Sequence, residues 1–282
     1  MISSGINTMM VPLRTMLGGQ FRHGVRQFKG MTLGAFDSLR MAKRALMEDG
    51  GVLDPGNTKF DGEDLAKGQK GLIRGTISLP SRFLLTMDEL FKQSMFRGWI
   101  AADAAASADA AGLRGTARRD HIQQYIRESF TPDGQANGVT RSEALQMAQR
   151  ATFTEPLRPG SMPARFQSSM LVGQGQGVFL ARLVIPFFRT PVNILKQSFQ
   201  HMPILNRLSA EMREDLAAGG ARAAQARAKV YLGWAATSAA LYYALDGRIT
   251  GSGPSDPLVN AEWRAAGNQP YSIRFTNENG EE

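Results

Sequence analysis

PSRFLLTMDELFKQSMFRGWIAADAAASADAA, running from Pro80 to Ala111, decides the fold class. Pro80 and Ser81 supply helix-start chemistry, and Leu84, Met87, Phe91 and Met95 recur at steps of three and four residues. From Ala101 to Ala111 the helix continues without bulky side chains, which suits close packing against other helices. On its N-terminal side a helix over about 32–47 is expected from Leu33, Phe36, Leu39, Met41 and Leu46. Asp49-Gly50-Gly51 ends it, and a loop containing Asp54-Pro55-Gly56-Asn57 follows. On the C-terminal side, Ile122, Tyr125 and Ile126 mark a helix over about 116–130. Thr140-Arg141-Ser142-Glu143 reads as a capping box opening another, to about Ala151.

Pro156, Pro159 and Pro163 mark a boundary, dividing an N-terminal helical region, 1–155, from an apolar, basic helical region, 156–282. In the second region, Phe166 to Phe199 is apolar but interrupted by Pro186 and Pro191, so two helical pieces joined by a kink are expected. A short amphipathic helix over Leu205–Leu216 follows. A longer helix starts after Gly219-Gly220 and ends at Asp246-Gly247. Asp256-Pro257, an N-cap followed by proline in the first turn, opens a last helix to about Ala265. Ser272–Phe275 reads as the start of a strand. The expected fold is all-α: an elongated multi-helix assembly with long kinked helices and one short hydrophobic helix.

The chain of 282 residues carries 14 Met but only 5 Tyr and 3 Trp, a helix-forming and gap-filling composition. The absence of cysteine excludes disulfides, thiolate metal sites and thiol nucleophiles. His23, His121 and His201 are too far apart for a local HxxxH or HExxH ligand pair. The acid pairs Asp88/Glu89 and Glu214/Asp215 sit at adjacent helical positions that diverge by about 100°, so neither converges on one substrate. No GxSxG elbow or GxxxxGK[ST] loop occurs. The expectation is a non-enzyme with no cofactor and no metal.

Net charge is +8, and its distribution points to partners. Met1–Gly30 contains Arg14, Arg22, Arg26 and Lys29 with no acid. Pro156–Ala210 is also acid-free and includes Arg165, Arg182, Arg189, Lys196 and Arg207. Nucleic-acid phosphates and anionic headgroups suit such stretches, and Arg182, Arg189, Lys196 and Arg207 are the candidate contacts. The uncharged run Val230–Leu245 has 16 residues, against about 20 needed to span a bilayer core. It reads either as a core helix of a large assembly or as a membrane-inserted one, with Trp234, Tyr242 and Tyr243 as interface aromatics. Gly173 and Gly177 read either as a small-xxx-small helix-packing pair or as a flexible bend.

Three stretches carry a family resemblance: Leu79–Lys92, Ile185–Ile194 (IPFFRTPVNI), and Asp246–Pro254 together with Trp263-Arg264 and Gln269–Ile273. Together they resemble the helical region of very large tailed-phage polyvalent proteins, including internal virion (DNA ejection) proteins. The resemblance implies a virion-interior protein that enters the host envelope with the genome. It would oligomerise with itself and with other virion proteins into a DNA-translocation conduit, meeting the DNA phosphate backbone non-specifically and the host inner membrane. Family members are usually much longer and many carry a lytic transglycosylase, whose Glu-centred motif does not occur in this chain. The alternative expectations are a structural capsid-internal or portal-associated protein, or a non-catalytic piece of a virion enzyme such as an RNA polymerase.

Overall fold

The computed structural model describes residues 2–48, 51–54, 72–137, 141–171 and 176–274, with side chains described except at 2, 48, 72–82, 170–171 and 176–188. Among the described residues there are eleven α-helices, a 3-10 turn at Leu205–Leu208 and no strand; the protein is all-α. In chain order the helices are α1 (Ile2–Leu17), α2 (Phe21–Leu33), α3 (Ala35–Glu48), α4 (Leu72–Ala110), α5 (Gly115–Glu128) and α6 (Ser142–Ala151). They continue with α7 (Met162–Leu171), α8 (Gln176–His201), α9 (Ala210–Ala218), α10 (Gly220–Leu245) and α11 (Pro257–Ala265).

The 39-residue α4 is the spine, roughly 58 Å long at 1.5 Å per residue. It begins at Leu72, so Pro80 and Ser81 lie inside the helix and not at its start. It ends in a Schellman arrangement: Leu113 N donates to Ala108 O and Gly112 N to Asp109 O, with Gly112 at φ +67°. One face of α4 makes the core. Met95, Phe96, Trp99 and Ile100 are buried there against Ala144, Met147, Ala148 and Ala151 of α6, with Val11 and Leu53 closing the cluster. Phe96 meets Phe130 edge-on at 5.2 Å.

The opposite face of α4 carries α2 and α3, which lie end to end along it. Here the contact is made by small residues. A Cβ on Gly30 would meet Ala101 Cβ at 2.5 Å and Gly98 Cα at 3.0 Å, so the helix backbones are nearly touching. The same device recurs where α10 crosses its neighbours. Gly18, just past α1, abuts the Ala224 carbonyl, and Gly233 abuts the His201 carbonyl at the end of α8. Among the described residues, thirteen of the twenty-five buried hydrophobic ones are alanine, in keeping with this thin, close packing.

Several expectations change. The N-terminal 33 residues form two helices that the sequence reading left unassigned, and the helix expected over 32–47 begins anew at Ala35 after Gly34. In the apolar stretch the helices are Met162–Leu171 and Gln176–His201, and both Pro186 and Pro191 lie inside α8. The kink expected at those prolines does not divide it. The N-cap of α6 is Arg141, without a side-chain cap bond, and Thr140 lies outside the described residues. The helix expected over 205–216 is a 3-10 turn followed by α9, which Ser209 caps by accepting from Met212 N. Asp256 behaves as its sequence reads: its Oδ1 accepts from Leu258 N at 2.8 Å and Val259 N at 3.2 Å. Ile273 makes a single antiparallel bridge with Ile249.

Gly30→Val therefore forces α2 off α4 and costs roughly 1–3 kcal/mol or more. Gly251→Ala, at a position with nothing within 4 Å, leaves thermal unfolding unchanged. Parallel melts of the two variants check this.

Candidate functional site

The best-defined polar structure is buried. After α6 the chain passes through Phe153 at φ +61°, a left-handed conformation a bulky residue seldom adopts. That turn brings Glu155 back beneath Arg150. Arg150 Nε donates to Glu155 Oε1 at 2.9 Å and its Nη1 to Asp215 Oδ2 at 2.6 Å. Arg222 donates to the other Asp215 oxygen, and Lys196 Nζ reaches Glu155 Oε2 at 2.7 Å and Glu211 Oε1 at 3.1 Å. Gln200 donates to Glu211 and accepts from Lys229 Nζ at 2.6 Å. Asn193 holds the Phe153 and Glu155 carbonyls, and Asn7 donates to the carbonyl of Ala151. The network joins α1, α6, α8, α9 and α10 across the Pro156–Pro163 stretch.

Charge balance sets the protonation here. Burial pushes the Glu155 carboxyl up, but Arg150 and Lys196 override it and hold it below the usual range. Five cations, Arg14, Arg150, Lys196, Arg222 and Lys229, face three acids, Glu155, Glu211 and Asp215. Lys229 bears the excess: burial first, then Arg14 and Arg150, lower it to about 7. Glu214 and Asp215 point apart, Glu214 outward to Arg158 at 3.1 Å and Asp215 inward. Asp88 and Glu89, by contrast, are both buried. Asp88 pairs with Lys92 at 3.5 Å, while Glu89 Oε1 accepts from Leu53 N and Gln93 Nε2.

On the far side of α4, His23 Nε2 lies 3.6 Å from Asp103 Oδ1. Burial, with Arg26 nearby, pushes His23 down to about 4. Burial and Glu143 push Asp103 up to about 7. Near pH 7 the ring is therefore neutral, and the carboxyl takes up a proton before the ring does as pH falls.

On α1–α3 the polarity is largely inverted. In α1, Ser4, Thr8, Arg14 and Thr15 are buried beside Val11, while Ile6, Met9, Leu13 and Leu17 are exposed. In α2, His23, Gln27, Met31 and two glycines face inward and Phe21, Val25 and Phe28 outward. In α3, Ser38, Ala42 and Ala45 are buried, whereas Phe36 is 86% exposed. A helix on a water-soluble protein turns its apolar stripe to the core. Small and hydrogen-bonding residues between helices, with large apolar ones outside, is the arrangement of helices packed in lipid.

The second apolar feature is the end of α10. Up to Gly233 the helix packs against α1, α8 and α9, and from 234 to 245 every residue is exposed. Val230–Leu245 is thus the last part of a 26-residue helix that leaves the body of the chain, and not a separate short helix. No helix among the described residues is long and apolar enough to cross a membrane. At the root of the projecting segment, a groove of about 470 Å³ is lined by Ile204, Arg207, Met212, Leu216, Val230 and Trp234. Ile204 sits there at φ +69°, a strained position for a β-branched residue.

Of the candidate contacts, Arg207 is exposed at that groove and Arg189 is half-buried on α8. Lys196 does not offer a free charge, because its ammonium lies between Glu155 and Glu211. The Arg182 side chain and Gly173 lie outside the described residues, and Gly177 is the second residue of α8. Trp234, Tyr242 and Tyr243 line the projecting helix, the two tyrosine rings edge-on at 5.5 Å. The sequence reading missed Arg150, Glu155, Asp215 and Lys229, which are far apart in the chain and meet only in the fold. No protein-family model, curated protein or solved structure matches the chain.

Arg150→Met leaves Glu155 and Asp215 without their shared partner and costs about 3–5 kcal/mol, measured by denaturant unfolding. For Lys229 the folded value lies below the unfolded one, so its buried charge destabilises fully below about pH 7 and the penalty fades as pH rises towards 10.5. The stability of Lys229→Met relative to the parent therefore improves as pH is lowered through that window and levels off below it. In NMR titration the His23 ring stays neutral above about pH 5, and an Asp103 carboxyl resonance moves near pH 7.

Proposed function

We propose that this chain is a non-enzymatic subunit of a phage genome-ejection assembly, which oligomerises to form or anchor a passage for DNA across the host envelope. One observation supports it above the others: an uncharged helix end, Trp234–Leu245, stands clear of the chain's own core with every residue exposed. Each large apolar side chain there would gain roughly 1.5–3 kcal/mol on full burial, and in a subunit that burial comes from neighbouring copies. Ala235, Ala236, Ala239 and Ala240 let another helix approach closely, and no charge on the segment opposes it. The nucleic-acid part of the reading rests on the +8 charge and the acid-free stretch carrying Arg189 and Arg207. The resemblance along Leu79–Lys92, Ile185–Ile194, and Asp246–Pro254 with Trp263-Arg264 and Gln269–Ile273 supplies the phage context.

Sedimentation and light scattering without lipid test the subunit reading. The parent runs as an oligomer, and the combined variant Trp234→Ser, Leu241→Ser, Tyr242→Ser, altered only at exposed positions, dissociates at least tenfold more readily. Binding to random-sequence duplex DNA at low salt weakens linearly in log–log salt dependence. A parent that stays monomeric and ignores DNA overturns the proposal.

A further inference from the structure

The outward faces of α1, α2 and α3 form a second surface, distinct from the α10 end. Apart from Val11 and Met31, their buried sides hold mostly polar and small residues, and most of their large apolar side chains face outward. α2 and α3 lie end to end along α4, and the sides they turn away from it share one direction. On that side Phe21, Val25, Phe28 and Phe36 are exposed. Exposed cations stand among them: Arg22 and Lys29 on α2, Lys43 on α3. The first acid of the chain is Asp37, and it is engaged by Arg40 at 2.8 Å and Arg97 at 3.4 Å.

From this we infer that α1–α3 lie flat in the headgroup layer of an anionic lipid bilayer, with their aromatic and aliphatic side chains in the acyl boundary and Arg22, Lys29 and Lys43 on lipid phosphates. The inference extends the assembly reading by naming what its apolar N-terminal face touches. Three observations select lipid as the occupant. The helices have 16, 13 and 14 residues, roughly 20–24 Å against about 30 Å of hydrocarbon, so they are too short to span. Two copies meeting through this face would set like charges against each other, which an anionic membrane turns into attraction. Inward hydrogen bonds such as Thr15 Oγ1 to Gln27 Oε1 at 2.8 Å, and Gln225 Nε2 to Thr15 Oγ1 at 2.7 Å, turn these polar side chains of α1 and α2 away from lipid. An interfacial helix needs that amphipathy with basic flanks rather than great length.

The test is flotation of the full chain with vesicles of mixed phosphatidylglycerol and phosphatidylcholine, and with phosphatidylcholine alone. The parent binds the anionic vesicles. Phe28→Asp with Phe36→Asp, both at exposed positions and checked for native circular dichroism, reduces binding at least tenfold. Lys29→Glu with Lys43→Glu removes about tenfold to a hundredfold, and only on anionic vesicles. Because the chain has no cysteine, an environment-sensitive dye on Phe28→Cys reports directly: its emission shifts to the blue on vesicles, and that of Arg119→Cys on α5 does not. Unchanged flotation of the phenylalanine variant, or no shift at position 28, overturns the inference. So does a phenylalanine variant whose only change is a smaller oligomer without lipid, which would assign this face to a second copy. The Trp234 variant keeps its flotation, so a failed oligomer and a failed membrane contact give different results.

Discussion

Arg150 between Glu155 and Asp215 is the constraint on which the arrangement of the other helices depends. A guanidinium this buried cannot do without both carboxylates. Glu155 comes from the turn after α6 and Asp215 from α9, while Lys196 of α8 and Arg222 of α10 complete the charge pattern. The net stabilisation from such a cluster is small, since desolvation offsets much of the attraction. Misplacing any member, however, strands a buried charge at several kcal/mol. The cluster therefore selects one packing of five helices far more strongly than its net energy suggests. The left-handed Phe153 is part of the same requirement, because an ordinary helical exit would carry Glu155 away from Arg150.

That polar interior has a consequence for the surface. Ser4, Thr8, Arg14, Thr15, His23 and Gln27 occupy the inward sides of α1 and α2, and alanine and glycine occupy most helix crossings. Large apolar residues are then left for the outside. Close backbone approach at Gly30–Gly98 and Gly233–His201 compensates through dispersion contacts that a Leu-rich core would make with side chains. The result is a chain that leaves many of its large hydrophobic side chains exposed. This unites the two exposed features: the end of α10, uncharged and suited to other subunits, and the basic α1–α3 face, suited to an anionic surface.

The helical periodicity was readable where one face of a helix carried a run of large side chains: Leu84, Met87, Phe91 and Met95 in α4, or the Asp256-Pro257 start of α11. It was misread where small residues dominate. Gly5, Gly24 and Gly30 look like helix breakers along α1 and α2, yet in the fold they are contact points where a Cβ would come within 3 Å of a neighbour. Pro186 and Pro191 likewise sit within α8. Lys196 looked like a free cation in an acid-free stretch, because Glu155 and Glu211 are 41 and 15 residues away in sequence and adjacent only in space.

What the sequence by itself determined is the all-α class, the C-terminal end of α4, both ends of α10 and α11, the basic charge, and the existence of amphipathic stripes. All of these are local properties, set by spacing along a helix and by capping chemistry within a few residues. Tertiary structure alone decided the direction of those stripes. A period of 3.6 residues shows that a helix has two faces and not which one meets the core. In α1–α3 the choice was made by partners elsewhere in the chain: Gln225, Ala101 and Gly98 match the polar and small face and exclude the large one.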